Sequence, residues 1–261
     1  MDIVVPIKFV PDLVEEMEIG ESGKALDRTF MRLIPSEQDD HALEQALLLK
    51  ERHGGTVTVV TLDAGDVDET LFTAVANGAD RAVKVRGEGF DKGINNHAAS
   101  AVLQEALKDI PFDLILTGTQ AVDDLDGSVG PLLAARLGLP YVGYITGIAL
   151  EDGKVVARKE YPGGMVADME VALPAVLGIQ AAEKPPRYVV TSLVLEAMKT
   201  ATIEEREAGE ADCSGAAGVT RVYLPQAAER ARMLEGDANQ VADALVALLM
   251  EHRLLSQGRR P

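Results

Sequence analysis

Apolar residues along the first 140 positions follow two alternating rhythms. Continuous runs rich in β-branched residues cover 4–10, 56–62, 82–85 and 114–116, and such short runs predict parallel strands buried on both faces. Between them, apolar residues recur at helical spacing. One stripe is Ala42, Leu43, Ala46, Leu47 and Leu49; a second is Leu71, Ala74 and Val75; a third is Ala98, Val102, Leu103 and Ala106. A further helix is predicted over 129–137, closed by Gly138 and Pro140. Strand–helix alternation of this kind predicts an α/β fold with a doubly wound, mostly parallel, Rossmann-like sheet.

Local signals set the boundaries. Pro11-Asp12 ends the first strand, and 13–26 reads as an irregular excursion around Gly20-Glu21-Ser22-Gly23. The spacing Ser36-Glu37-Gln38-Asp39 resembles a capping box at the next helix start, and Gly54-Gly55 stops that helix. After residue 140 the pattern changes. Runs at 148–150 and 154–157 flank Glu151-Asp152-Gly153, a hairpin signal, and 165–173 and 175–180 add strands. An antiparallel extension of the sheet is expected there. We divide the chain into an α/β domain, 1–183, and an arm, 184–261, with an extended or mobile linker over 201–218 and a terminal helix over about 239–254.

Composition narrows the function classes. The formal charge of −17 argues against nucleic acid as a partner, because phosphate binding needs a basic face. No apolar run approaches the ~18 residues of a membrane helix, so direct membrane insertion is not expected. The N-terminus reads directly as a strand, without the basic and apolar regions of a secretory signal. Cys213 is the single cysteine, which excludes an intrachain disulfide and any multi-cysteine metal site. A reducing cytoplasm is expected.

The four histidines, His41, His53, His97 and His252, lack zinc-helix spacing, and no metal site is expected. Serine-hydrolase elbows, phosphate-loop motifs and a glycine-rich dinucleotide fingerprint are also missing. The informative segment is Gly118-Thr119-Gln120-Ala121-Val122-Asp123-Asp124-Leu125-Asp126-Gly127-Ser128-Val129-Gly130. It follows a strand and opens a helix, where free backbone amides can receive a phosphate. Gly127 and Gly130 would clear space for that phosphate, and Ser128 could donate to it. The three aspartates should cap helix amides, meet ribose hydroxyls or face solvent. A capped helix start without a ligand fits the same residues.

Several blocks together resemble the electron transfer flavoprotein β (small) subunit family. They are Val5-Pro6-Ile7-Lys8-Phe9-Val10-Pro11-Asp12, Asp39-Asp40-His41-Ala42-Leu43-Glu44-Gln45-Ala46, Asn77-Gly78-Ala79-Asp80-Arg81 and the 118–130 segment. Leu173-Pro174-Ala175-Val176, Pro186-Arg187-Tyr188 and Glu235-Gly236-Asp237 continue them in the family's order. The resemblance implies an electron carrier without catalysis of its own, paired with an α subunit that carries FAD. It implies electrons accepted from dehydrogenases and passed to a quinone reductase. It also implies AMP in the β chain's own site, or a second FAD in the electron-bifurcating branch. Carried over by position, cofactor-binding falls to Pro6, to Ser36, Glu37, Gln38 and Asp39, to Leu62 and Asp63, and to Gly118 through Val129. Partner docking falls to Glu183, Pro186, Arg187 and Tyr188, with Glu183 where many relatives place an anchoring leucine. Ser36, Glu37, Leu13 and the Asp126–Val129 stretch depart from the family's usual residues.

Two other readings use the same fold. An adenine-nucleotide hydrolase or ligase would need a pyrophosphate loop after the first strand, where this chain has Lys8-Phe9-Val10-Pro11-Asp12. A nucleotide sensor without redox chemistry would leave the Pro-Arg-Tyr block and terminal helix without a role.

Overall fold

The first strand, β1 (Asp2–Ile7), sends Ile3, Val5 and Ile7 into one apolar layer and Val4 into the other. That two-sided burial explains its unbroken apolar run and sets the plan of the whole sheet. The computed structural model describes residues 1–124, 126–151, 154–209, 211–215, 217–225, 231 and 233–255.

In chain order, β1 is followed by β2 (Phe9–Pro11), β3 (Leu33–Pro35), α1 (Glu37–His53), β4 (Thr56–Leu62), α2 (Asp68–Asn77) and β5 (Arg81–Arg86). A 3-10 turn, Phe90–Lys92, leads to α3 (Asn96–Ala106), β6 (Leu114–Gly118) and α4 (Val129–Leu137). Then come β7 (Tyr141–Glu151), β8 (Lys154–Tyr161), β9 (Met165–Val171), β10 (Ala175–Ile179), α5 (Thr191–Thr200), β11 (Ile203–Glu207) and α6 (Ala238–Glu251).

The main sheet has nine strands in the order β11-β5-β4-β1-β6-β10-β7-β8-β9. Ala42, Ala46 and Leu47 of α1 and Leu71 and Ala74 of α2 cover one face. Val102, Leu103 and Ala106 of α3 and Leu133 and Ala134 of α4 cover the other. The expected doubly wound, mostly parallel sheet is what the chain forms. β1 pairs with β4 along its whole length, to Ile7↔Thr61, but with β6 only at Ile3↔Leu114 and Val4↔Ile115. Beyond Val4 the two strands part, and a crevice opens at their carboxyl ends, the usual ligand position in such sheets.

The antiparallel extension is also present and longer than the apolar pattern suggests. β7 starts parallel to β10, passes an irregularity, and then pairs antiparallel with β8, which pairs with β9. Its outer parts are held by polar cross-strand pairs, Lys154–Glu170 at 2.7 Å and Arg158–Asp168 at 2.9 Å, which carry no hydrophobic alternation. Asp152 and Gly153 of the hairpin signal lie outside the described residues.

The extended linker expected over 201–218 needs correction. Ile203–Glu207 forms β11, parallel to β5 on the edge of the main sheet. Charge, rather than apolar burial, selects it: Arg81 meets Glu204 at 2.7 Å, Lys84 meets Glu205 at 3.0 Å, and Arg86 meets Glu205 at 3.1 Å. α5 precedes it and buries Val194 and Ala197. Residues Met1–Val222 form one compact unit and Tyr223–Pro261 a second. Within the second, Asp237 and Gln240 build a reciprocal capping box at the start of α6. None of the described residues of α6 is buried.

Because the β11–β5 pairs are partly exposed, salt should weaken them. Raising NaCl from about 0.1 M to about 1 M should speed amide exchange across Ile203–Glu207 while Val57 to Val60 remain protected. Unchanged exchange in β11 would assign its stability to the backbone ladder alone.

Candidate functional site

Splitting β1 from β6 leaves two strand-end amides without a ladder partner, and one side chain takes both. The Asp39 carboxylate, in the first turn of α1, accepts from Lys8 N through Oδ2 and from Gly118 N through Oδ1, each at 2.8 Å. Gln38 does the same one step along the chain. Its Oε1 accepts from Thr119 N at 3.0 Å, from Gln120 N at 2.7 Å and from the Thr119 hydroxyl. The expected capping box therefore does not form. Ser36 is the N-cap but its side chain makes no capping bond, because the side chains of the first turn are turned to the strand ends instead.

Above this fork lies a cavity of about 270 Å³. Pro6 lines it from β1, Ser36 and Asp39 from the start of α1, and Leu62 from the end of β4. Gly118, Thr119, Gln120, Ala121, Asp123, Asp124, Gly127 and Val129 line it from the segment after β6. Glu37, Gln38, Asp63, Val122, Asp126 and Ser128 are near in sequence but do not line it. Leu125 lies outside the described residues.

The roles inside the segment differ from those expected. Lys8 Nζ meets Asp123 Oδ1 at 2.7 Å and also bonds Asp124 Oδ1, so these aspartates hold a lysine across the crevice. Burial works against the Lys8 ammonium, yet Asp123 and Asp124 outweigh it and raise its pKa. Asp126 accepts from Ser128 N at 3.2 Å, Ser128 Oγ at 2.9 Å and Asn96 Nδ2 at 2.9 Å, so the Ser128 hydroxyl is already engaged. The glycines make room for the protein itself. Gly127 has φ +58°, and a Cβ there would stand 2.7 Å from the Thr119 carbonyl oxygen. At Gly130 a Cβ would stand 2.8 Å from Thr117 Oγ1 and 3.0 Å from the Tyr141 ring.

Thr117 Oγ1 is buried without a hydrogen-bond partner, and Thr117 lines the cavity. The start of α4 adds the amides of Val129 and Gly130, which helix geometry leaves without intrahelical acceptors; the next residue, Pro131, has no N–H. Phe9, Phe90, Ile94 and Leu103 add apolar side chains to the lining of the same cavity. Arg28 lines the cavity too, its Nη1 held by the Asp91 carbonyl at 2.7 Å. Sequence reasoning missed these residues. Lys8 was findable as the one charge in the first apolar run, but Arg28 and Phe90 belong to connections without periodicity.

Of the residues expected to dock a partner, Glu183 and Arg187 bond side chains of α1. Glu183 binds Arg52 Nη2 at 2.6 Å and Gln45 Nε2 at 2.9 Å. Arg187 binds both oxygens of buried Glu44 at 2.8 Å and Glu51 at 2.6 Å. Tyr188 is 86% exposed, and Pro186 is exposed beside it.

An open doubly wound sheet with a cavity at its switch point defines the Rossmann-like α/β class. The electron transfer flavoprotein domain family matches residues 32–211. The electron transfer flavoprotein subunit beta of Methylophilus methylotrophus is 33% identical, over 97% of this chain and 99% of the relative. That of Bacillus subtilis is 31% identical over 95% and 97%. The caffeyl-CoA reductase-Etf complex subunit CarD of Acetobacterium woodii is 32% identical over 98% and 100%. This chain belongs to the electron transfer flavoprotein family and is an electron transfer flavoprotein subunit of the β type. Among the described residues, no helix is long and apolar enough to cross a membrane.

Burial pushes the Asp39 carboxyl up to about 7, against the pull of its bonds to Lys8 N and Gly118 N. An unfolded aspartate titrates near 3.9, so the native state holds the extra proton between about 4 and about 7. This group's contribution to stability therefore falls as pH rises through that window. Asp39→Asn cannot titrate. Denaturant midpoints should favour the unaltered protein most near pH 4, with the difference shrinking towards pH 7. Parallel curves would remove the titration from Asp39.

Proposed function

We propose that this chain pairs with an FAD-bearing α subunit and helps relay electrons from dehydrogenases to a quinone reductase, without catalysis of its own. Its own cavity holds AMP in a structural role. The observation that carries the nucleotide reading is the start of α4 at the cavity, where Val129 offers a free amide and Thr117, whose buried Oγ1 has no hydrogen-bond partner, lines the same cavity. Together they offer hydrogen bonds to one phosphate, and Phe90 and Leu103 in the same lining suit a flat base. FAD, when carried by the α subunit, supplies the redox chemistry; this chain's residues bind, orient and shield.

A second reading places FAD in this cavity as well. The apolar part of the lining supports it, as does similarity to a relative named for a caffeyl-CoA reductase-Etf complex. Denaturing the purified chain and weighing the released nucleotide separates the two. AMP with no visible absorption supports the first reading, FAD with flavin bands supports the second, and neither nucleotide removes both.

For docking, we propose that Glu183 and Arg187 anchor the base of the partner-docking part of the arm, 184–261, on α1. Exposed Tyr188, Leu193 and Leu195 then meet the dehydrogenase. Glu183 acts inward on this view, through Arg52. Tyr188→Ser should slow electron transfer between the α–β pair and its dehydrogenase several-fold, with stability changed by no more than about 0.5 kcal/mol. An unchanged rate would move the contact off this segment.

A further inference from the structure

The cavity described above has a larger neighbour of about 650 Å³, lined by Leu33 of β3, Leu43 and Leu47 of α1, and Thr70 and Asn77 of α2. Ile7, Phe9, Ala64 and Arg28 line both cavities. Three of these four cannot step aside. Ile7 and Phe9 are buried in one apolar layer of the sheet, and Ala64, packed against that layer, has no side chain beyond its Cβ. Arg28 differs. It belongs to the excursion between β2 and β3, its side chain is long, and the residue is exposed.

Arg28 is held in this partition by Nη1, which donates to the Asp91 carbonyl at 2.7 Å. Gly93 makes room for the guanidinium, since a Cβ there would stand 2.6 Å from Nη2. The excursion around Arg28 is bonded within itself: Gly20 N donates to the Ala25 carbonyl at 2.9 Å, and Asp27 N to the Glu18 carbonyl at 2.8 Å. Its Leu13, Val14 and Phe30 are exposed, so it packs lightly on the sheet. Segments that bury little apolar surface open most readily. The crevice between β1 and the loop after β6 is crossed instead by ion pairs, from Lys8 to Asp123 and Asp124. The acceptor that holds Arg28 is a neutral carbonyl, which makes the Arg28 side the one that yields first.

We infer that Arg28 is a gate between the two cavities: breaking its bond to the Asp91 carbonyl joins them, and the ligand of the smaller cavity enters and leaves through the larger. The inference rests on the nucleotide reading above and adds the route and the residue that controls it. A gate has a kinetic signature that a binding contact lacks. Losing a contact speeds release alone, whereas losing a gate speeds entry and release together.

The test is the rate of AMP binding to the full chain and of its release, followed with radiolabelled AMP by rapid filtration. Arg28→Ala should raise both rates at least about tenfold, the size expected when a hydrogen bond from a charged donor no longer holds the closed state. Arg28→Lys, whose ammonium can donate to the same carbonyl, should return both rates to within about threefold of the unaltered protein. Faster release with unchanged entry in Arg28→Ala makes Arg28 a ligand contact and overturns the gate. Unchanged rates overturn it too and leave the nucleotide site standing. An unaltered chain that binds neither AMP nor FAD overturns the nucleotide reading and the gate with it.

Discussion

Where β1 and β6 diverge, the sheet exposes amides that no strand can satisfy, and the Asp39 carboxylate closes that gap. An unpaired buried amide costs about 1–3 kcal/mol, so two of them would make the fork a weak point. A single acceptor bridging both lets the strands part while their ends stay at a fixed separation. The cavity depends on that separation, because its floor is the pair of strand ends and its wall is the first turn of α1. The two amides meet different oxygens of the one carboxyl group, Lys8 N at Oδ2 and Gly118 N at Oδ1. The raised pKa reflects the same burial: the group sits where charge is costly and is held by backbone dipoles.

From this fork outward, side-chain oxygens of acidic and amide residues act as connectors. Gln38 and Asp39 tie α1 to β6, Asp123 and Asp124 tie the loop after β6 to β1, and Asp126 ties the start of α4 to α3 through Asn96. The segment 118–130 is therefore shaped largely by its own polar bonds. Its glycines follow from that shape: Gly127 allows a left-handed turn under the Thr119 carbonyl, and Gly130 lets α4 approach Thr117 and Tyr141. Loop form comes first, and the cavity is what the loop leaves open.

Strands β1, β4, β5 and β6 were legible because two-sided burial writes itself as an apolar run. The helices α1, α3 and α4 were legible from their stripes. β11 was not, since the sequence Ile-Glu-Glu-Arg-Glu has no strand signature, and its partners Arg81, Lys84 and Arg86 lie about 120 residues earlier in the chain. In the site, residues after β6 could be located because strand and helix patterns bracket them. Arg28 could not, because a 21-residue excursion between β2 and β3 carries it back over the sheet, with only an isolated bridge, Ile19↔Leu26, along the way. The segment showed its donors and acceptors but not which would pair with each other. Ser128 looked free to meet a phosphate until Asp126 was seen to hold it.

The same logic explains how so acidic a chain uses its cations. Arg52, Arg81, Lys84, Arg86 and Arg187 all fasten peripheral segments to the main sheet or to α1. Arg187 is the strongest case, since Glu44 is 4% exposed and would be a buried, uncompensated carboxylate without it. Spending cations on internal joints leaves the negative excess facing outward, with a formal total of −17. A surface of that sign favours encounter with basic faces and weakens association between copies of the chain. Arg187 bonds Glu44 and Glu51 of α1, while Tyr188, the next residue, is 86% exposed, so the segment is fixed by charge at one residue and open to solvent at the next. That arrangement holds an exposed aromatic side chain at a fixed place on a stiff α/β body without burying it in that body.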